Sequence, residues 1–174
     1  WAYLGKLEGD DENYAVATRH IEKALELDPY YYDYWVDYGR YLYYQGKFTD
    51  AEKAWSKAVS IEPDNFYAYI YRSALYDEQK RFADALNDYK KIIEVKPEYY
   101  YAYESIGILA WHEKKYDEAR KAFLSAYKYN KDNISYPMMV SATYLKEGNN
   151  TENKIRRNHT FYLNQEFQYI KKSH

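Results

Sequence analysis

A chain of 174 residues with 25 Lys and Arg against 27 Asp and Glu has a formal net charge of −2, which gives no bulk attraction to nucleic acid or to acidic membranes. No run approaches the length of a transmembrane helix, and the lack of cysteine excludes a disulfide framework and thiolate chemistry. The reading is of a soluble chain, cytoplasmic or extracytoplasmic, with the redox compartment left open.

Taken in order, residues 1–31 hold a first helix broken early by Gly9, Asp10 and Asp11, then a regular helix from about Glu12 to Leu27 that turns at Asp28 and Pro29. Residues 32–65 predict helices Tyr31–Tyr44 and Phe48–Ile61, with Gly46 as the C-terminal stop. Residues 66–99 predict Asn65–Gln79, N-capped by Asp64, and Phe82–Val95, with Lys80 in the place of the glycine. Residues 100–133 predict Glu98–His112 and Tyr116–Tyr129. From 134 to 171 the pattern decays. Ser135 is placed to cap a helix carrying Pro137 near its start and running to Glu147, and Gly148 ends it. A final capping helix is expected from Thr151 to about Ile170, with Ile155, Tyr162, Phe167 and Ile170 inward and Lys154, Arg156 and Arg157 toward water.

One step unites these segments. Pro29, Pro63 and Pro97 are evenly spaced, and other residue types keep the same interval. Trp1, Trp35, Tyr69 and Tyr103 form a bulky column, and Gly5, Gly39, Ser73 and Gly107 a small one. Within each second helix Tyr14, Phe48, Phe82 and Tyr116 are followed by Ala17, Ala51, Ala85 and Ala119, then by Ile21, Trp55, Tyr89 and Phe123, then by Ala24, Ala58, Ile92 and Ala126. Successive steps of three or four positions put all of these on one helical stripe that must be buried. Small residues let helix axes approach, so a bulky side chain at Ala51 or Ala85 should overpack by roughly 1–3 kcal/mol. A single pair of short helices cannot cover such a stripe, so neighbouring pairs stack.

The openings WAYLG (Trp1 to Gly5) and WVDYG (Trp35 to Gly39), with FTDA, FADA and YDEA ending at Ala51, Ala85 and Ala119, resemble tetratricopeptide repeats in period and signature. The resemblance implies an all-α fold. Its architecture would be one right-handed α-solenoid of stacked helix-turn-helix repeats over residues 1–174, with four clear repeats, a degenerate fifth and a C-terminal capping helix. Trp1 falls at the fourth place of a repeat without an initiator Met, which predicts a longer natural chain in which a signal peptide or anchor could precede it.

Catalysis finds little support. His112-Glu113 begins like a zinc-protease helix, but Tyr116 takes the place of the second histidine. His20, His159 and His174 show no metal-cluster spacing, and there is no phosphate loop or nucleophile elbow. No enzyme, cofactor or metal is expected. Matches to glycosylation sequons at Asn133, Asn149 and Asn158 carry no weight. Residues 151–174 hold five Lys/Arg against two Asp/Glu, a solvated face rather than a nucleic-acid signal.

Tyrosine is the anomaly: the aromatic columns account for Tyr14, Tyr69, Tyr76, Tyr89, Tyr103, Tyr116 and Tyr144, 7 of 26, and others cluster at Tyr30, Tyr31, Tyr32 and Tyr34, at Tyr67 and Tyr71, and at Tyr99, Tyr100 and Tyr101, where first helices begin. Packing between repeats explains part of this; tyrosine is also a favoured contact residue. The family resemblance implies a concave groove lined by first helices in which a peptide or partner helix lies. By register the lining comprises Asp33, Val36, Asp37, Arg40, Tyr43 and Tyr44, then Tyr67, Ile70, Tyr71, Ala74, Asp77 and Glu78, then Tyr101, Glu104, Ile108, Trp111 and His112, with Met138, Ala142 and Leu145 beyond. The carboxylate clamp of chaperone-binding members is missing, since Val36, Arg40, Ile70 and Ala74 stand in its places. The expected function is a protein-interaction scaffold for a partner segment with basic or aromatic residues, oligomeric state unassigned. The alternatives are an envelope-associated receptor stacking a glycan or small ligand on the groove tyrosines, and a structural fragment of a longer array.

Overall fold

The computed structural model describes residues 1–147, and these form nine α-helices: α1 (Ala2–Asp10), α2 (Tyr14–Leu27), α3 (Tyr32–Tyr44), α4 (Phe48–Ile61), α5 (Tyr67–Glu78), α6 (Phe82–Val95), α7 (Tyr100–His112), α8 (Tyr116–Tyr129) and α9 (Ser135–Glu147). The expected stop at Gly148 and the capping helix Thr151–Ile170 lie outside the described residues. Two compact units are formed, Trp1–Val95 with α1 to α6 and a second that begins at Lys96 and holds α7 to α9. No described helix is long and apolar enough to cross a membrane.

In unit 1 each first helix packs against its own second helix, α1 on α2, α3 on α4 and α5 on α6, and α2 and α4 in turn pack on α3 and α5. The reason lies in the two columns. The ring or branched chain of each second helix enters the gap left by the small residue of its first helix. A Cβ added at Gly39 would lie 2.4 Å from Trp55 Nε1, and one at Gly5 would lie 3.0 Å from Ile21. Unit 2 repeats the device, with Gly107 against the Phe123 ring at 2.5 Å. Ala17, Ala51, Ala85 and Ala119 are fully buried, as are Ala58, Ile92 and Ala126. The stripe is not buried to its end, however. Phe48 and Phe82, the first residues of their helices, are 37% and 45% exposed, while Tyr14 and Tyr116 in the same column are half-buried.

In the second and third repeats the bulky opening residue ties the pair to the turn before it. Trp35 Nε1 donates to the Pro29 carbonyl at 2.8 Å and the Tyr69 hydroxyl donates to the Pro63 carbonyl at 3.1 Å. These bonds satisfy carbonyls of the connecting turns, which lie outside the helices and have no ladder partner.

The tight turn inside each repeat is closed by a residue of positive φ, once per repeat and at the same register: Glu12 (60°), Gly46 (74°), Lys80 (60°) and Lys114 (61°). The next residue donates back into the last turn of the helix before it, as in Lys47 N to Leu42 O (2.9 Å) and Arg81 N to Tyr76 O (2.8 Å), which closes a Schellman turn. Lys80 thus does take the glycine's place, in a left-handed conformation that suits glycine better.

Several expected boundaries move. Gly9 does not break α1, which runs to Asp10; the glycine instead lets the Tyr41 ring approach, since a Cβ there would meet Tyr41 Cε1 at 2.3 Å. Asp64 caps nothing. Helix α5 starts at Tyr67, whose N–H faces Asn65 Oδ1 at 3.4 Å. Ser135 is the first residue of α9 rather than its cap, and its N–H donates to Asn133 Oδ1 at 3.0 Å.

Candidate functional site

Each unit presents a face built from its first helices: α1, α3 and α5 in unit 1, α7 and α9 in unit 2. In unit 1 side-chain bonds fix the spacing of α3 and α5 at both ends. The Tyr32 hydroxyl accepts the Ala68 N–H at 2.9 Å, and the Tyr43 hydroxyl donates to Glu78 Oε2 at 2.7 Å. Burial pushes the Tyr32 hydroxyl up to about 12, so it stays protonated. Because like ends meet, α3 and α5 run parallel. In unit 2 the buried Tyr136 of α9 donates to Glu104 Oε2 of α7 at 2.9 Å.

Between the ties of unit 1, register sets Tyr67, Ile70, Tyr71 and Ala74 of α5 against Asp33, Asp37 and Arg40 of α3, and Arg40 lies in the field of the Tyr71 hydroxyl. Tyr67 is 54% exposed and Tyr44 is 56% exposed, the latter stacked on Tyr14 at 4.7 Å. Tyr71 is half-buried and lies nearly parallel to Trp55 at 5.7 Å, so it is wall rather than free surface. Tyr43 is also half-buried, packed against Phe48 and Trp55. Val36 is buried and lines nothing; its carbonyl accepts Trp55 Nε1–H at 3.1 Å.

The charges of this face are unevenly paired. Arg40 is held by Asp37 at 2.8 Å, with its guanidinium over the Tyr41 ring. Burial raises the Asp37 carboxyl above its usual range, and Arg40 works against that rise. Asp77 also sits above its usual range, raised by burial and countered by the Tyr89 hydroxyl that donates to Oδ2. Its Oδ1 is buried with no hydrogen-bond partner. Asp33 and Glu78 are exposed, and no cation pairs with either in the described structure.

In unit 2 Tyr101 is 54% exposed against the Tyr100 ring, Ile108 is exposed, and His112 is exposed at the end of α7. Trp111 is half-buried, packed edge-on to Tyr116 within the core. Met138 and Leu145 of α9 are exposed, and Ala142 is half-buried. His112 and Tyr116 belong to different helices, so the zinc-protease comparison also fails on geometry. Among the described residues no group of three His, Cys, Asp or Glu could hold a metal.

The sequence reading missed the contribution of α1. One repeat before Asp37, Arg40 and Tyr44 stand Tyr3, Lys6 and Asp10, a signal available from the register alone. Asp37 lies in the field of both Lys6 and Asp10. Tyr3 and Leu7 are exposed.

These features define an all-α helical-repeat protein whose distinctive surface is the face of its first helices. The tetratricopeptide repeat model matches residues 4–65, 36–94 and 74–133, and the chain belongs to that family. Solved structures with the same fold include a MamA protein (TM-score 0.76, 18% identity, covering 94% of this chain and 86% of that one). MamA from Desulfovibrio magneticus aligns with TM-score 0.71 and 14% identity over 98% of this chain and 90% of that one. A tetratricopeptide repeat protein from Parabacteroides merdae aligns with TM-score 0.77 and 22% identity over 96% and 65%. At such identities the likeness is one of fold. Comparison with curated proteins finds no match.

Proposed function

We propose that the chain is a protein-interaction scaffold that holds a segment of another protein on its first-helix faces and carries out no reaction. One observation carries this reading. Large apolar side chains are exposed inside α1 at Tyr3, Leu4 and Leu7, inside α7 at Tyr101 and Ile108 and inside α9 at Met138 and Leu145, and at helix ends at Tyr44 of α3 and Tyr67 of α5. The second helices expose them only at a terminal residue, at Leu27, Phe48, Phe82 and Tyr129. Away from helix ends, exposed large apolar side chains thus occur in α1, α7 and α9 and in none of the second helices, and apolar surface grouped on a folded chain marks an interaction site. The ties Tyr32–Ala68 and Tyr43–Glu78 fix the spacing of α3 and α5 before a partner arrives, which lowers the ordering cost of binding.

The test uses 12-mer peptides selected from a displayed random library on the purified chain. Their affinity should fall about tenfold or more for the Tyr67→Ser, Tyr101→Ser variant and stay unchanged for Leu27→Ser, Tyr129→Ser. Equal losses in both variants would contradict the assignment. Tyr67 and Tyr101 serve better than Tyr71 and Trp111, whose truncation also removes packing against Trp55 and Tyr116.

A further inference from the structure

Resting on that reading, we propose that the segment taken by unit 1 is a basic one: an extended stretch whose Lys or Arg side chains flank apolar residues lying between α3 and α5. The excess of acid in this unit is concentrated on one face. Helices α1, α3 and α5 carry six Asp/Glu (Glu8, Asp10, Asp33, Asp37, Asp77, Glu78) against Lys6, Arg40 and Arg72, whereas α2 and α4 are balanced at two against two each and α6 holds three acids, one of them spent on Arg72, against two lysines. Of the three cations, Arg72 is turned away, held bidentate by Asp88 of α6 at 2.8 and 2.7 Å and by Ser56 of α4 at 2.9 Å. Arg40 is occupied by Asp37. Asp33 in the first turn of α3 and the Asp77–Glu78 pair in the last turn of α5 therefore meet no cation in the described structure. Asp77 keeps one buried carboxylate oxygen without a partner.

The two acidic ends bracket an apolar floor of Tyr67, Ile70, Tyr71 and Ala74. With α3 and α5 parallel, Asp33 and Glu78 lie at opposite ends of the floor, roughly 16 Å apart along the helix axes at about 1.5 Å per residue. An extended chain covers that distance in roughly five residues. The matching segment thus carries two basic side chains about five positions apart with apolar residues between them. Neutralising uncompensated carboxylates beside apolar surface favours such a partner and repels an acidic one.

The test reads the sequences of the selected 12-mers and their affinity for the variant Asp33→Asn, Glu78→Gln, which removes two charges while leaving an amide oxygen able to accept the Tyr43 hydroxyl. The expected peptides are net positive, lose affinity about tenfold on the variant and weaken as salt rises. Replacing their Lys or Arg by Gln should cost the same factor on the native chain and little on the variant. Neutral or acidic peptides that still weaken with Tyr67→Ser would overturn the charge assignment and leave the scaffold reading intact. Peptides insensitive to Tyr67→Ser, or no enrichment at all, would overturn both. A concentration-dependent dimer in sedimentation that the peptides dissolve would assign the face to a second copy of the chain and overturn the basic-partner proposal.

Discussion

Where unit 1 has Arg72 reaching to Asp88, unit 2 has Ile106 and Ala122 in the same columns, one repeat further on. Both units fold the same pair of helices through a glycine gap filled by a ring or a branched chain. Helix pairing is thus set by the small and bulky columns, and the flanking columns are free to be ionic or apolar. The faces differ in the same sense. That of unit 1 is acidic around an apolar floor, and that of unit 2 is mainly apolar, with Tyr101, Ile108, Met138 and Leu145 exposed. One backbone plan carries two surfaces of different chemistry.

The strongest way to break this comparison is to convert one unit into the other. Asp88→Ala strands a largely buried guanidinium and should lower the unfolding free energy by about 3–5 kcal/mol in urea titration. Adding Arg72→Ile, which copies unit 2, should recover most of that loss. If the double variant is as unstable as the single one, the two units do not share a packing plan.

Next in size are the gaps. Gly39→Ala and Gly107→Ala should each cost about 1–3 kcal/mol by overpacking against Trp55 and Phe123. Gly39→Ala should cost about 1 kcal/mol more, because displacing Trp55 also breaks its bond to the Val36 carbonyl. Equal losses would show that the indole bond contributes little.

The turns should respond in the opposite direction. Lys80→Gly and Lys114→Gly relieve a left-handed conformation and should each stabilise by about 1 kcal/mol, while Gly46→Ala should cost a similar amount although the space around it is open. Thermal melts of the three variants check this.

The smallest effect depends on pH. Burial raises the Asp77 carboxyl, so the folded state binds its proton more tightly than the unfolded chain does, and stability falls as pH rises through the folded value. Asp77→Asn should therefore melt higher than the native chain at neutral pH, and its advantage should vanish as pH falls below the ordinary carboxylate range. The same substitution should weaken a basic partner, so stability and binding would move in opposite senses at one residue of unit 1. Unit 2 has Trp111 in that column and no such trade-off.

Much of this organisation is legible without any coordinates. Helices α4, α6 and α8 begin and end at the expected residues, because the order of aromatic, alanine, bulky and small residues recurs along each at a fixed step. The first helices begin one or two residues late, since Tyr31, Phe66 and Tyr99 stand at their N-caps and none makes a side-chain capping bond. Gly9 reads as a breaker because the ring it accommodates, Tyr41, belongs to the next repeat and is distant in sequence. The register also places Asp33, Tyr44, Tyr67 and Tyr101 on the exposed face. It does not show which side chains of that face are already engaged. The bonds Tyr43–Glu78 and Tyr136–Glu104, and the stack of Tyr71 on Trp55, join different helices and leave no periodic trace. Asp88 is a readable exception, an acid in a column otherwise held by His20, Ala54 and Ala122.

The most direct measurement is photo-cross-linking of a selected peptide to p-benzoylphenylalanine placed at position 67 of the first-helix face or at position 82 of a second helix. Both native residues are exposed rings of similar size, so access alone does not distinguish them. Adducts formed from position 67 and absent from position 82 are the expected result. Adducts of equal yield from both, or from position 82 alone, would contradict a binding face built from the first helices.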